Sequence, residues 1–370
     1  MGGLFHRLEE EEGVFKDERV LLPEYLPEVL PHREKEIREI ALAVRPAALG
    51  KRPENIVLIG PAGTGKTSCV RHVFRELAEY SKRALPIYIN CWESPTRHAV
   101  LSKLAKSLGE ILPRRGIATD EIVEQIAGAL RRERRVPVLA LDELDRLLAN
   151  PEEAGVLYDL ARAKETLGGD VGLVGITNNE AFFAGIDERV RSSLGSRSLA
   201  FRPYSPPQLK DILRERAKEA FFDGCVEADA LAVCAAHGAK HGGDARVAIE
   251  ALWRAGREAE REGAKVVSVQ HVRRAIAQAQ PEPKKLAKPE VRLNEIEQRI
   301  IDFLKKRGKV TSGQLYAAFG HTDRYIRAHI DRLEKLGIIE TRILETKEET
   351  GGRGKTRAIR LKSWPLPERA

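Results

Sequence analysis

Gly60, Pro61, Ala62, Gly63, Thr64, Gly65, Lys66, Thr67 and Ser68 follow directly on the apolar run Ile56 to Ile59. Gly60, four intervening residues, Gly65, Lys66 and Thr67 satisfy the P-loop pattern, with the buried strand it requires in front. The glycines let the backbone curl so that successive N–H groups, joined by the N-terminus of the next helix, point at phosphate oxygens. Lys66 adds a positive charge near the β- and γ-phosphates, and the Thr67 hydroxyl is placed to ligate Mg²⁺. ATP or GTP is the implied ligand, and the loop itself does not distinguish purines.

Three later stretches supply partners for that chemistry. VLALDELD puts Asp142 and Glu143 at the end of an apolar run. There an aspartate serves Mg²⁺ and the adjacent glutamate can orient or deprotonate a water, as in a Walker B element; an acidic helix cap is the plainer alternative. GITNN ends another run in Asn178, suited to bonding a γ-phosphate or positioning the lytic water, although asparagine also simply begins turns. In GIDERVRSSLGSRSLAF, Arg189, Arg191 and Arg197 include a candidate arginine finger for a neighbouring subunit's nucleotide, with ordinary surface arginines as the alternative.

The elements that must position these residues alternate. Apolar runs at 86–91, 136–141, 171–177 and 199–201 are separated by helical patterns, which predicts a parallel sheet covered on both faces, with ligands at the carboxyl ends of its strands. Before it, residues 1–32 form a strap in which Pro23, Pro27 and Pro31 forbid a continuous helix. A helix over 33–48 is expected to end before Pro46 or kink there. Between the second run and Asp142 lies an insertion, 94–135, with two amphipathic helical patterns around the basic turn PRRG.

From Ser205 to Gln280 the pattern is helical throughout, at 206–222, 229–237, 245–262 and 269–280, the signature of a small bundle lying as a lid over the nucleotide. Cys234, His237 and His241 raise a metal site that lacks a fourth ligand, where Gly238, Gly242 and Gly243 break the helix. PEPKKLAKPE, 281–290, is a proline-punctuated basic linker. After it, helices at 294–306, 312–319 and 322–336 and two β-like runs at 338–344 and 356–361 predict a winged helix. In that geometry the third helix enters the major groove of duplex DNA, making Arg324, Tyr325, Arg327 and His329 contact candidates, with Tyr325 and His329 on one face. The hairpin tip offers Arg353, Lys355 and Arg357, with Gly351, Gly352 and Gly354 allowing close backbone approach.

Length and charge agree with this division. A chain of 370 residues exceeds a single core, and its net charge of +8 with a pI near 9.3 favours a polyanionic partner. From Pro289 onward there are 18 Lys and Arg against 12 Asp and Glu, so most of the surplus sits in the last domain. Cys69, Cys91, Cys225 and Cys234 have no CxxC spacing and read as free thiols in a reducing compartment. No apolar run is long enough to span a bilayer and no signal peptide begins the chain, so a soluble, cytoplasmic protein is expected.

Taken in order, GPAGTGKT, LDELD, GITNN, IDERVRSSLG, RPYSPPQLKDILRERA and GGDARVAIEAL resemble the archaeal origin-recognition and cell-division-control replication initiators. These are AAA+ ATPases related to the largest eukaryotic origin-recognition subunit and to the cell division control helicase loader. The resemblance covers nearly the whole chain. It implies a strap at 1–32, an AAA+ domain at 33–204, a lid at 205–280, a linker at 281–290 and a winged-helix domain at 291–370. It assigns Asn178 to sensor one, Arg189 to the arginine finger and Arg246 to sensor two. It also places Tyr204 and Arg216 on the nucleotide and Val29 and Leu30 near an adenine. The insertion would touch DNA through Arg114, Arg115 and Arg97. The implied function is initiation of DNA replication in an archaeal cell, on the nucleoid. It would proceed by ATP-regulated binding of double-stranded origin DNA, with weak hydrolysis of ATP to ADP as a switch, Mg²⁺ as cofactor, possible self-association on DNA and recruitment of the replicative helicase. A signalling or transcription-regulating P-loop ATPase with a winged helix is the competing reading. A small-molecule P-loop kinase is the third; tandem Asp142 and Glu143 and the appended basic domain argue against it.

Overall fold

The computed structural model describes residues 13–279 and 295–361, apart from 114–115, 133, 149, 181, 185, 187, 195–196, 321, 336–338 and 345–355. The chain forms two compact units, Met1–Pro281 and Glu282–Ala370.

The first unit is built on five strands: β1 (Ile56–Ile59), β2 (Ala84–Asn90), β3 (Val136–Asp142), β4 (Gly172–Thr177) and β5 (Ser198–Ala200). They pair in the order β2-β3-β4-β1-β5, every pairing parallel, so all carboxyl ends lie along one edge. Side chains alternate between two apolar faces, as period two requires. Ile56, Leu58, Val138, Ala140, Val174 and Ile176 face α1 (Glu34–Ala48) and α2 (Lys66–Tyr80). Val57, Ile89, Leu139, Leu141 and Leu173 face the helices of the insertion, α3 (Arg97–Ser107) and α4 (Thr119–Arg132). Three further helices, α5 (Asp145–Leu148), α6 (Pro151–Ala161) and α7 (Ala163–Thr166), complete that side, and α8 (Glu188–Leu194) precedes β5. One expectation is corrected: α1 runs through Pro46 to Ala48. Because Pro46 lies in the last turn, only one bond is lost, and its carbonyl still accepts the Leu49 and Lys51 N–H groups.

Four helices follow: α9 (Pro206–Ala220), α10 (Ala228–Lys240), α11 (Ala245–Arg261) and α12 (Val269–Ala279). Their core holds Leu209, Leu213, Cys234, Leu252 and Val272, and it takes in Val14, Val20 and Leu21 from the chain's start. Phe15 stacks on Phe221 with ring centroids 4.7 Å apart, and Glu18 accepts from the Trp253 indole and the Arg257 guanidinium, each at 2.6 Å. The described part of the strap is thus in large part a component of the lid core, which its acidic, proline-broken sequence does not announce. The four cysteines are free; Cys69, Cys91 and Cys234 are buried, and burial pushes each of those thiols up to about 12.

The second unit comprises α13 (Glu295–Arg307), β6 (Val310–Thr311), α14 (Ser312–Phe319), α15 (Asp323–Lys335), β7 (Ile339–Leu344) and β8 (Thr356–Leu361). Ile300, Ile301, Leu304, Leu315, Ile326, Ile330, Leu333 and Ile359 form its core. The expected hairpin gains a third strand, giving an antiparallel order β6-β8-β7. Two residues are too short for a periodic signal. Thr311 then caps α14 reciprocally with Gln314. Among the described residues no helix is long and apolar enough to cross a membrane.

Candidate nucleotide site and winged helix

The carboxyl edge of the sheet gathers the residues singled out by type. Gly65 is the N-cap of α2 at φ +90°, and a Cβ there would meet the Tyr204 hydroxyl at 2.8 Å, so both conformation and space call for glycine. Lys66 opens α2, and its Nζ donates to the carbonyls of Gly60 (2.6 Å) and Pro61 (2.7 Å) and to Asn178 Oδ1 (2.8 Å). Lys66 is buried, and burial lowers its pKa to about 8 against the opposing pull of Asp142 and Glu143.

Alternation along β3 turns Asp142 toward α2, on the side of Ala140. Its Oδ2 accepts the Thr67 hydroxyl at 2.6 Å and the Tyr88 hydroxyl at 2.6 Å, while Oδ1 accepts the Glu143 N–H at 2.9 Å. Glu143 sits at φ +58°, a left-handed conformation that costs a non-glycine residue about 1–2 kcal/mol and bends the chain so that its carboxylate meets Asn178 Nδ2 at 3.1 Å. Asp145 in turn holds β4 in place, accepting from the Thr177 hydroxyl (2.8 Å) and the Asn178 N–H (3.3 Å). Lys66, Asn178 and Glu143 therefore form one chain of polar contacts across the strand ends. Hydroxyl and carboxylate oxygens this close are of the type that hard cations such as Mg²⁺ take as ligands.

The lid reaches the same loop. The Ala245 N–H donates to the Gly63 carbonyl at 3.1 Å, and the Asp244 carboxylate packs against Gly63. Asp244 caps α11 and pairs with the exposed Arg246 guanidinium at 3.2 Å. At the hinge, Tyr204 is buried beneath Arg33, whose guanidinium lies 4.0 Å from its ring. Arg33 donates from Nε to the Thr64 carbonyl (2.9 Å) and from a terminal nitrogen to the Arg202 carbonyl (2.7 Å). Leu30 packs on the α1 side of the core, and Val29 is exposed. Motif reasoning missed Arg33, Tyr88, Asp145 and Asp244.

Several candidates have other partners. Arg216 donates to the Val20 carbonyl at 2.8 Å and lies over the Tyr25 ring, binding the lid to the strap. Arg97 is held by Asp159 at 2.6 Å beneath the insertion, and Arg197 bridges Glu39 and Glu54. Arg189 lies within α8, and its side chain, like Arg114, Arg115, Arg353 and Lys355, lies outside the described residues.

In the second unit Arg324, Tyr325 and Arg327 are exposed on α15, and Arg327 bonds the Tyr316 hydroxyl. His329 shares their face, with its ring 4.7 Å from that of Tyr325, but it turns inward to the buried Glu297 at 3.1 Å. Glu297 also accepts from Arg332 at 2.8 Å. Arg357 is engaged by Asp331 at 2.7 Å.

Comparison with known proteins gives the same three parts. Residues 50–179 match the AAA domain family, residues 210–277 the Cdc6 AAA+ ATPase-type lid domain, and residues 293–340 the winged helix-turn-helix DNA-binding family. The chain is 36% identical over 378 residues to ORC1-type DNA replication protein 1 of Aeropyrum pernix, covering 95% of this chain and 92% of that one. It is also 36% identical over 370 residues to the protein of the same name from Archaeoglobus fulgidus, covering 95% and 88%. A solved structure of the Aeropyrum pernix ORC1 protein in complex with DNA superposes with a TM-score of 0.68 at 35% identity, over 95% of this chain and 94% of that one. Cdc6p of Pyrobaculum aerophilum shares the fold, with a TM-score of 0.66 at 24% identity over 94% of each chain. With its nucleotide-binding AAA domain, Cdc6 lid and C-terminal winged helix in that order, the chain belongs to the ORC1/Cdc6 family of archaeal replication initiators.

Proposed function

We propose that this protein binds double-stranded origin DNA under the control of ATP, and that its AAA domain is a slow ATPase used as a switch. The observation that carries the reading is the direct bond between lid and P-loop, Ala245 to Gly63. A phosphate group entering the loop would lie beside that bond, so occupancy would be coupled to the angle at which the lid is held. The backbone of Gly60 to Ser68 would cradle the phosphates, with Lys66 and Arg246 approaching from opposite sides and the adenine lying against Val29, Leu30 and Tyr204. Thr67 and Asp142 would hold Mg²⁺, which supplies charge neutralisation at the phosphates. Glu143 orients water, with Asn178 spanning from Glu143 to Lys66. Arg189 would act on a neighbouring subunit's nucleotide, making hydrolysis slow in a lone protomer.

For DNA, the support is the DNA-bound ORC1 relative together with the exposed Arg324, Tyr325 and Arg327 on the second helix of the helix-turn-helix and the basic surplus of the same unit. Residues 1–32, 33–204, 205–280, 281–290 and 291–370 then act as strap, AAA+ domain, lid, linker and reader. The same reading extends to recruitment of the replicative helicase in the archaeal cytoplasm. Equilibrium binding of a fluorescent ADP analogue tests the nucleotide half. Lys66→Ala is expected to weaken affinity by at least about tenfold, the loss of one charge-assisted contact, and intact affinity would overturn the assignment.

A further inference from the structure

Tyr88 stands on β2, outside every phosphate-binding motif, yet its hydroxyl is bonded to the acidic residue of the site. The parallel register sets Asn90 opposite Asp142 and Tyr88 opposite Ala140, with all four on the α2 side of the sheet. Two strand residues rise about 6.6 Å, which is the reach of a tyrosine side chain laid along the strand, and the hydroxyl arrives at Asp142 Oδ2 at 2.6 Å. The ring is fixed in turn by Arg71, one turn along α2 from Thr67, whose guanidinium lies 4.4 Å from the ring centroid.

Asp142 thus receives donors from three elements: Thr67 from α2, Tyr88 from β2 and the Glu143 N–H from its own turn. These bonds fix the carboxylate's rotation. They also fix the Thr67 hydroxyl hydrogen, which points at Asp142 Oδ2 and leaves the oxygen lone pairs free for a cation on the phosphate side. A carboxylate held only by Thr67 and the backbone could swing about its Cβ–Cγ bond and carry the threonine hydrogen with it.

We infer that Tyr88 is a positioning residue for the divalent cation, acting through Asp142 on the orientation of the Thr67 hydroxyl. The inference rests on the proposed assignment of Thr67 and Asp142 to Mg²⁺. Outer partners of metal ligands set their orientation and are worth about tenfold or more in metal affinity. Tyr88→Phe keeps the ring beneath Arg71 and removes the hydroxyl, with its bonds to Asp142 and to Arg71.

The test measures affinity of the full chain for a fluorescent ADP analogue with excess Mg²⁺ and with EDTA, and titrates Mg²⁺ into the nucleotide-bound protein. Wild type is expected to bind more tightly with Mg²⁺. Tyr88→Phe is expected to keep the EDTA affinity within about twofold while the Mg²⁺ midpoint rises about tenfold. Arg71→Met, which frees the ring without touching Asp142, is expected to shift the midpoint in the same direction by less, and it serves as the second variant should Tyr88→Phe fold poorly. An unchanged Mg²⁺ midpoint in Tyr88→Phe overturns the inference, as does an equal loss with and without Mg²⁺, which would mark a packing role. A wild type indifferent to Mg²⁺ would instead overturn the cation assignment of Thr67 and Asp142 itself.

Discussion

Lys66 is held among carbonyl oxygens in a buried site, and its pKa falls to about 8 because burial outweighs the attraction of Asp142 and Glu143. Its free-chain value is 10.5, so between about 8 and 10.5 the folded protein binds fewer protons than the unfolded chain. Stability from this group therefore rises with pH through that window. Nucleotide binding has the opposite sign: phosphate favours the charged lysine, so binding above pH 8 must take up a proton. We expect ADP affinity to be flat below pH 7 and to fall by up to about tenfold per unit above pH 8. Calorimetry in buffers of different ionisation enthalpy should show approach to one proton bound per nucleotide at pH 9; no uptake there would contradict the assignment.

Lys66, Thr67, Asp142 and Asn178 were legible because each stands at a fixed offset from an apolar run, and strand ends in a parallel sheet meet along one edge. Arg33 and Tyr88 were not, since their partners Thr64 and Asp142 lie 31 and 54 residues away and nothing in the spacing marks the pairing.

Among elements, the segment from Val14 to Leu21 has the clearest unexpected role. Its apolar side chains fill the lid core, and Gly256 on α11 is the position where Phe15 and Phe221 come against the helix, leaving no room for a side chain. Phe15→Ala removes a half-buried ring and its stack on Phe221. We expect a loss of about 2 kcal/mol, seen as a lowered unfolding temperature that ADP partly restores. No change would mean the segment is merely draped over the lid. Helices were readable from their 3.6-residue period, and where bounds were given most agree within two residues; α10 instead runs through Gly238 to Lys240, three residues past the break expected there. The errors came where period gives no information: a proline tolerated in a final turn at Pro46, the two-residue strand β6, and a strap whose apolar residues are too few to show a repeat. His329 is instructive for the same reason. Helical spacing correctly put it beside Tyr325, but only the fold brings the buried Glu297 to its other side.

At the scale of the molecule, the order of parts follows from composition and motif: a phosphate-binding sheet, an all-helical stretch, a proline-broken basic linker and a basic winged helix. The two compact units divide at Pro281, where the proline-punctuated basic stretch of the sequence starts. The surplus of charge in the second unit predicts affinity for any duplex, steeply dependent on salt. Selectivity requires side chains that reach base edges or a reading of duplex shape, and Arg324, Tyr325 and Arg327 stand on the exposed face of α15. The most direct measurement is binding of the full-length protein to a tiled library of genomic duplexes across a salt titration, with and without ATP. Nucleotide-controlled origin binding predicts that one or a few intergenic segments are retained at salt concentrations that release the rest, with retention changed by nucleotide. Arg327→Ala should weaken those segments by about 1–3 kcal/mol while leaving bulk affinity nearly intact. Uniform affinity across all fragments, indifferent to nucleotide, would contradict it.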